Sequence, residues 1–249
     1  MRKELLASLS MIGSLAAAGA AAAQTCATPP SCETLGFTKS EADCDGLEAL
    51  KCPFDQSKLY CPQGGGNMSA AAPGAILYSD GTISDSVIAG KTPVGIVAYV
   101  NGSTGFAVAL TESNQTWGGY GYNVSCLGDM DSGAASADMN GRVNTQCLVS
   151  DSQTHPAANY CNTFSAVSSG KGSSGWYLPA AGELKAMSYS YGAINLGLQK
   201  LSKTQISSNY YWTSSEINNG TARTVRPSDG NLKFGQKTNS KRVRCILTF

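Results

Sequence analysis

The sequence predicts an α+β domain preceded by a small disulfide-rich module. Strand signals open and close the C-terminal part of the chain, with helix signals between them, which is the pattern of segregated strands and helices. The nine cysteines divide into five within a short N-terminal segment and four spread over the rest. A stretch rich in glycine and alanine, with no apolar periodicity, lies between the two groups. Of 249 residues, 28 are glycine and only 14% are charged. This composition differs from that of a charged, helix-rich cytosolic protein and from that of a disordered chain, which needs high net charge. So many cysteines suit an oxidising compartment.

Taken in order, Arg2 and Lys3 precede an Ala- and Leu-rich run over residues 5–23 that ends in Ala21-Ala22-Ala23. That is the pattern of a secretory signal peptide, residues 1–23, cut before Gln24. Residues 24–62 form a cysteine-rich head carrying Cys26, Cys32, Cys44, Cys52 and Cys61. It is too small to fold on hydrophobic burial alone, and its cysteines lack the close pairs of a zinc site. An odd cysteine remains, and Cys26 is the candidate. Residues 63–73 read as a linker and residues 74–249 as one domain. Strands are expected over residues 75–78, 93–100 and 106–110, bounded by the turn signals Asp80-Gly81 and Asn101-Gly102. Residues 116–151 read as a long loop rich in Gly, Asn and Asp. Helices are expected over 154–167, over 180–189 behind Pro179, and briefly over 194–201. Strand patterns return over 210–213, Thr221–Arg226, 232–234 and 242–248.

Several motifs then occur in a fixed order: Met139-Asn140-Gly141-Arg142, Ala157-Ala158-Asn159-Tyr160-Cys161, Gly175-Trp176-Tyr177-Leu178-Pro179, Gly182-Glu183-Leu184, Tyr211-Trp212-Thr213-Ser214-Ser215-Glu216 and Arg242-Val243-Arg244-Cys245. Together they resemble a family of exported bacterial domains with a C-type-lectin-like fold. That family is related to the formylglycine-generating-enzyme fold and to the C-terminal domain of a collagen-like adhesin. The resemblance covers about residues 74–249 and leaves the head unexplained. It implies a disulfide between Cys161 and Cys245, which leaves Cys126 with Cys147. It does not carry over formylglycine-generating chemistry, whose reactive cysteine pair has no late counterpart here beyond Cys245. Trp176 and Trp212 are expected in the core, and Glu183 in the first turn of its helix.

The residues themselves point away from catalysis. One histidine, His155, cannot build a multi-His metal site, and no nucleophile-elbow motif accompanies it. No phosphate-binding glycine pattern follows a strand. Asp129, Asp131, Asp138, Asn140 and Asp151 offer the hard oxygen donors that calcium requires, yet complete no EF-hand loop. No metal and no cofactor are therefore assigned.

The stretch from Ile217 to Ser240 is dense in Asn, Ser, Thr, Gly, Lys and Arg, which suits an adaptable binding surface. Its composition and position also resemble variable proteins of diversity-generating retroelements. Asn218, Asn219, Thr221, Arg223, Arg226, Asn231, Lys233 and Phe234 are the candidate ligand-binding residues. After signal removal the chain holds 16 basic and 16 acidic residues, but residues 217–249 carry seven basic residues against Asp229 alone. Such asymmetry concerns association rather than fold. The expected protein is an exported, non-enzymatic surface binder whose partner is a surface protein or a glycan or polyanion. Nucleic acid is not expected, because few stacking aromatics accompany the basic residues. Nor is a membrane span expected in the mature chain. The alternatives are a structural envelope or pilus-associated component and, behind it, a formylglycine-generating-type enzyme.

Overall fold

The computed structural model describes residues 71–102, 104–128 and 131–249, together with the backbone of a short antiparallel pair, β1 (Leu50–Lys51) and β2 (Leu59–Tyr60). The expected signal peptide, nearly all of the head and its cysteine pairing, and most of the linker lie outside the described residues. Residues 71–73, which the sequence places in the linker, already belong to the packed unit. Ala72 is buried and its carbonyl accepts the Ala75 N–H.

From there the order is β3 (Ile76–Tyr78), β4 (Ile83–Ser84), β5 (Pro93–Asn101), β6 (Thr104–Ala109) and β7 (Ser113–Thr116). Helices α1 (Ser132–Ala137), α2 (Gly141–Ser150), α3 (Pro156–Thr163), α4 (Ala181–Ser188) and α5 (Tyr191–Lys200) follow. The chain closes with β8 (Tyr211–Glu216), β9 (Thr221–Arg226), β10 (Asn231–Gln236), β11 (Ser240–Val243) and β12 (Ile246–Thr248). The fold is thus α+β. One five-stranded sheet has the order β12-β6-β5-β3-β4 and the second β10-β9-β8-β11-β7, in which only β8 and β11 run parallel.

Two departures from the sequence reading have physical causes. The segment read as one loop over 116–151 contains α1 and α2. Helix α1 is made of small residues with no apolar stripe, and its start is set by Asp131, whose Oδ1 accepts the Ala134 N–H at 2.8 Å. Helix α2 buries polar Asn144 and Thr145 beside Cys147 and Leu148, so its inward face does not read as hydrophobic. The strand read over 242–248 is two strands in different sheets. The buried Arg244 sits at the crossing, its Nε donating to the Ala109 carbonyl at 2.8 Å.

Trp117, Trp176 and Trp212 fill one core cluster with Leu148, Leu178 and Val243. A second cluster joins Ile76, Ile96 and Val108 of the first sheet to Leu184, Met187 and Leu198 of the helices, and to Tyr211 and Val225 of the second sheet. Cys161 is bonded to Cys245, tying α3 to the sheet crossing (Cα–Cα 5.3 Å), and Cys126 is bonded to Cys147, pinning the segment before α1 to α2 (Cα–Cα 5.9 Å).

Candidate functional site

The site begins at the turn between β8 and β9. Asn218 Oδ1 accepts from the N–H groups of Gly220 and Thr221, each at 2.9 Å, and from the Thr221 hydroxyl at 3.0 Å. This side-chain turn is what Asn before Gly provides locally. A second segment, residues 117–124, lies along the same tip. Gly121 N–H donates to the Asn219 carbonyl at 2.7 Å, and the N–H groups of Trp117 and Gly118 both donate to the Lys237 carbonyl at 3.1 Å. Gly118 and Gly119 both have positive φ, and a Cβ on Gly118 would stand 2.1 Å from the Thr154 carbonyl oxygen. Only glycine lets the backbone pass so close.

Beneath this loop lies a charge pair removed from water. Lys237 and Glu216 are both fully buried and joined by an ion pair. The Lys237 ammonium also donates to the Tyr122 carbonyl at 2.8 Å and stands 4.7 Å from the centre of the Trp117 ring. Glu216 Oε2 accepts the Val124 N–H at 3.0 Å. One lysine and one glutamate therefore fix both ends of a segment that carries two exposed tyrosines between them. Tyr120 and Tyr122 are 57% and 58% exposed. The sequence reading missed them; the signal available to it was Gly118-Gly119-Tyr120-Gly121-Tyr122, aromatics set among glycines.

The eight candidate residues do not form one face. Strand alternation places Thr221, Arg223 and Val225 opposite Gln236, Phe234 and Leu232, on the side that packs on α4. Arg223 is half-buried; burial holds its guanidinium below the usual arginine range, against the pull of Asp131 at the start of α1. Phe234, opposite it, is 67% exposed. Arg226, Lys233 and Asn231 stand on the other side of the sheet, around Tyr210. The Arg226 guanidinium lies 5.4 Å and the Lys233 ammonium 5.1 Å from the Tyr210 ring centre, while the Tyr210 hydroxyl donates to Asn231 Oδ1 at 2.8 Å. Asn218 and Asn219 sit at the opposite end of β9, on the tip.

Nor is the basic segment a free cationic surface. Arg226 is paired with Asp229, which raises the arginine and lowers the carboxylate. Lys237 is paired with Glu216. Arg242 and Arg244 share Glu112, which also accepts the Tyr211 hydroxyl at 2.8 Å. Lys241 lies 5.6 Å from the centre of the buried Trp212 ring. Gly235 makes room for both, because a Cβ there would meet Trp212 at 2.6 Å and Lys241 at 2.5 Å.

The groups considered for chemistry are occupied structurally. His155 is buried under Trp117, with Nε2 2.9 Å from Asp151, whose carboxyl it holds below the usual range. Glu183 accepts the Ala180 N–H at the start of α4 at 2.7 Å and the Tyr177 hydroxyl at 3.1 Å. Burial, helped by nearby Asp138, raises it to about 8. Asp138 in turn accepts from Asn144 at 2.9 Å and from the Ser215 hydroxyl at 2.6 Å. The carboxylates weighed for calcium are thus dispersed: Asp131 caps α1, Asp138 joins this buried cluster and Asp151 holds His155, while Asp129 lies outside the described residues. Among the described residues, no group of three or more His, Cys, Asp and Glu side chains could hold a metal ion, and no helix is long and apolar enough to cross a membrane.

No family model matches the chain, and no curated protein matches it. Among solved structures, a fimbrial protein from Bacteroides ovatus is similar to it, with 21% sequence identity and a TM-score of 0.56. The match covers 71% of this chain and 48% of that one, so the chain spans about half the length of the fimbrial protein. At that identity the likeness concerns the fold.

Proposed function

We propose that this chain is an exported, surface-located ligand-binding protein with a C-type-lectin-like domain, acting by recognition without chemistry. The observation that carries the reading is the tip of the second sheet, where Tyr120 and Tyr122 are each more than half exposed on a segment held against the exposed Asn218 and Asn219. Large aromatics held at the surface by a rigid framework, among short polar side chains, suit a contact surface. The disulfides and the signal-peptide pattern support export. Burial of His155 and Glu183, and the bonding of Cys245, support a role without catalysis.

The test is an array of glycans and polyanions probed with the mature chain, then with Arg223, Arg226 and Lys233 changed together to Ala, and again with chelator present. Binding that the triple variant loses assigns the ligand to the β9–β10 region, and binding that it keeps assigns the ligand to the tip beside Tyr120 and Tyr122. A specific observation favours a second reading, a structural fimbrial component: the similar solved structure is a fimbrial protein, and β10 is a six-residue edge strand with open backbone groups. Absence of binding to every probe, with higher oligomers on cross-linking, would select it.

A further inference from the structure

The tip of the β8–β9 hairpin and the loop beside it have a chemistry different from the basic residues farther along the strands. The Tyr120 ring lies against Gly220: a Cβ there would stand 3.6 Å from Tyr120 Cε2 and 3.8 Å from Asn218 Oδ1. A phenol ring and an amide therefore meet at one place. The Asn218 oxygen is consumed by its three turn donors, which leaves the amide N–H groups as the outward donors. Asn219, whose carbonyl holds Gly121, exposes its own amide. Tyr122 follows two residues after Tyr120, its carbonyl fixed by the Lys237 ammonium at 2.8 Å. That ammonium is fully buried and paired with Glu216, so it offers nothing to a ligand.

We infer that this tip, with Tyr120, Tyr122, Asn218 and Asn219, is a calcium-independent site for a neutral saccharide; the inference rests on the ligand-binding reading above and narrows it. A pyranose ring presents a face of C–H groups that stacks on a phenol ring and a rim of hydroxyls that accept from amides. Tyrosine serves this use because its ring is apolar and its hydroxyl remains polar. An anionic ligand gains nothing from the lysine beneath the loop, which is buried and spent on Glu216. A protein partner would need about 800 Å² on each side, more than this small set of side chains presents. Calcium is not needed: Asp131, Asp138 and Asp151 are committed elsewhere.

The test is a neutral-oligosaccharide array with the mature chain in EDTA, followed by calorimetric titration of the best-retained oligosaccharide. Retention in EDTA is expected, with affinity at least about tenfold weaker in Tyr120→Ala and in Tyr122→Ala and a smaller loss in Asn219→Ala. Tyr120→Phe, which keeps the stacking face, should stay within about threefold, and Arg226→Ala/Lys233→Ala should bind as the parent does. Circular dichroism of each variant checks that these exposed positions leave the fold intact. Retention lost in EDTA, or unchanged in both tyrosine variants, overturns the site. Binding of heparin alone, abolished by Arg226→Ala/Lys233→Ala, overturns it while the ligand-binding reading survives. Binding of neither neutral glycans nor heparin removes both.

Discussion

At the Gly220 end of the second sheet a lysine ammonium is sealed beneath a loop, whereas at the Asp229 end an arginine and a lysine lie in the open on a tyrosine ring. All three cations come from the same basic segment, residues 217–249. The buried one, Lys237, acts on the backbone: it holds Tyr122 and, through Glu216, Val124. The exposed ones face solvent, where their fields are screened. The difference shows that a basic stretch of sequence is not by itself a basic surface. Four of its seven cations are paired with carboxylates, and the fully buried pair, Lys237 with Glu216, stiffens the neutral end rather than the charged one.

The sharpest way to break the comparison is at Lys237. Lys237→Met leaves Glu216 buried without its counter-charge and is expected to destabilise the domain by about 3–5 kcal/mol in urea unfolding. Lys237→Met/Glu216→Leu removes both charges and should recover most of that loss, because two buried charges repay their desolvation only in good geometry. If the double variant is as unstable as the single one, the pair holds the loop by more than charge compensation. Changing Cys161 and Cys245 together to Ala opens a link between residues 84 apart in sequence and should cost about 4 kcal/mol in the chain-entropy account, read the same way.

Next in size is the pH response. Glu183 is raised from an ordinary 4.5 to about 8 by burial, so the folded state holds its proton more tightly than the unfolded chain does. The stabilisation is fully present below about pH 4.5 and is lost as pH rises through about 8. Thermal midpoints of the parent should therefore decline across that window. Glu183→Gln, which keeps an oxygen acceptor for Ala180 but cannot ionise, should flatten the decline. The acid limb has the opposite sign, since Asp151 is lowered by His155 and its contribution disappears as pH falls through the lowered value.

How much of this was legible follows from what each residue type encodes locally. Strands β5, β6 and β9 and helices α3 and α4 announce themselves through apolar runs, turn dipeptides and a proline at a helix start. Helix α2 does not, because Asn144 and Thr145 face inward to hydrogen-bond with Asp138 and the Leu178 backbone, a preference that exists only once those partners are in place. The split of the last strand is hidden for the same reason: Arg244 turns inward to Glu112 and Ala109, more than a hundred residues earlier in the chain. Of the candidate site, the Asn218-Asn219-Gly220 turn could be read directly. Its partnership with Tyr120 depends on Gly121 meeting Asn219 across the fold, and no local pattern carries that.

The smallest expected effect sharpens the comparison from the exposed end. Arg226 and Asp229 form a surface pair on an open turn, and salt and side-chain entropy offset most of what such a pair gains. Arg226→Ala should leave the thermal midpoint unchanged within the error of a scan, and so should Lys233→Ala. Their combination should still weaken retention on a heparin column, because the Tyr210 ring holds both cations in one place and the column reads the local field rather than the stability. That loss should shrink as salt rises, whereas the Lys237→Met instability should be nearly insensitive to salt, since solvent ions do not reach a fully buried pair. Equal salt dependence at both ends would mean that Lys237 is open to water, and the division of labour between the two ends would fail.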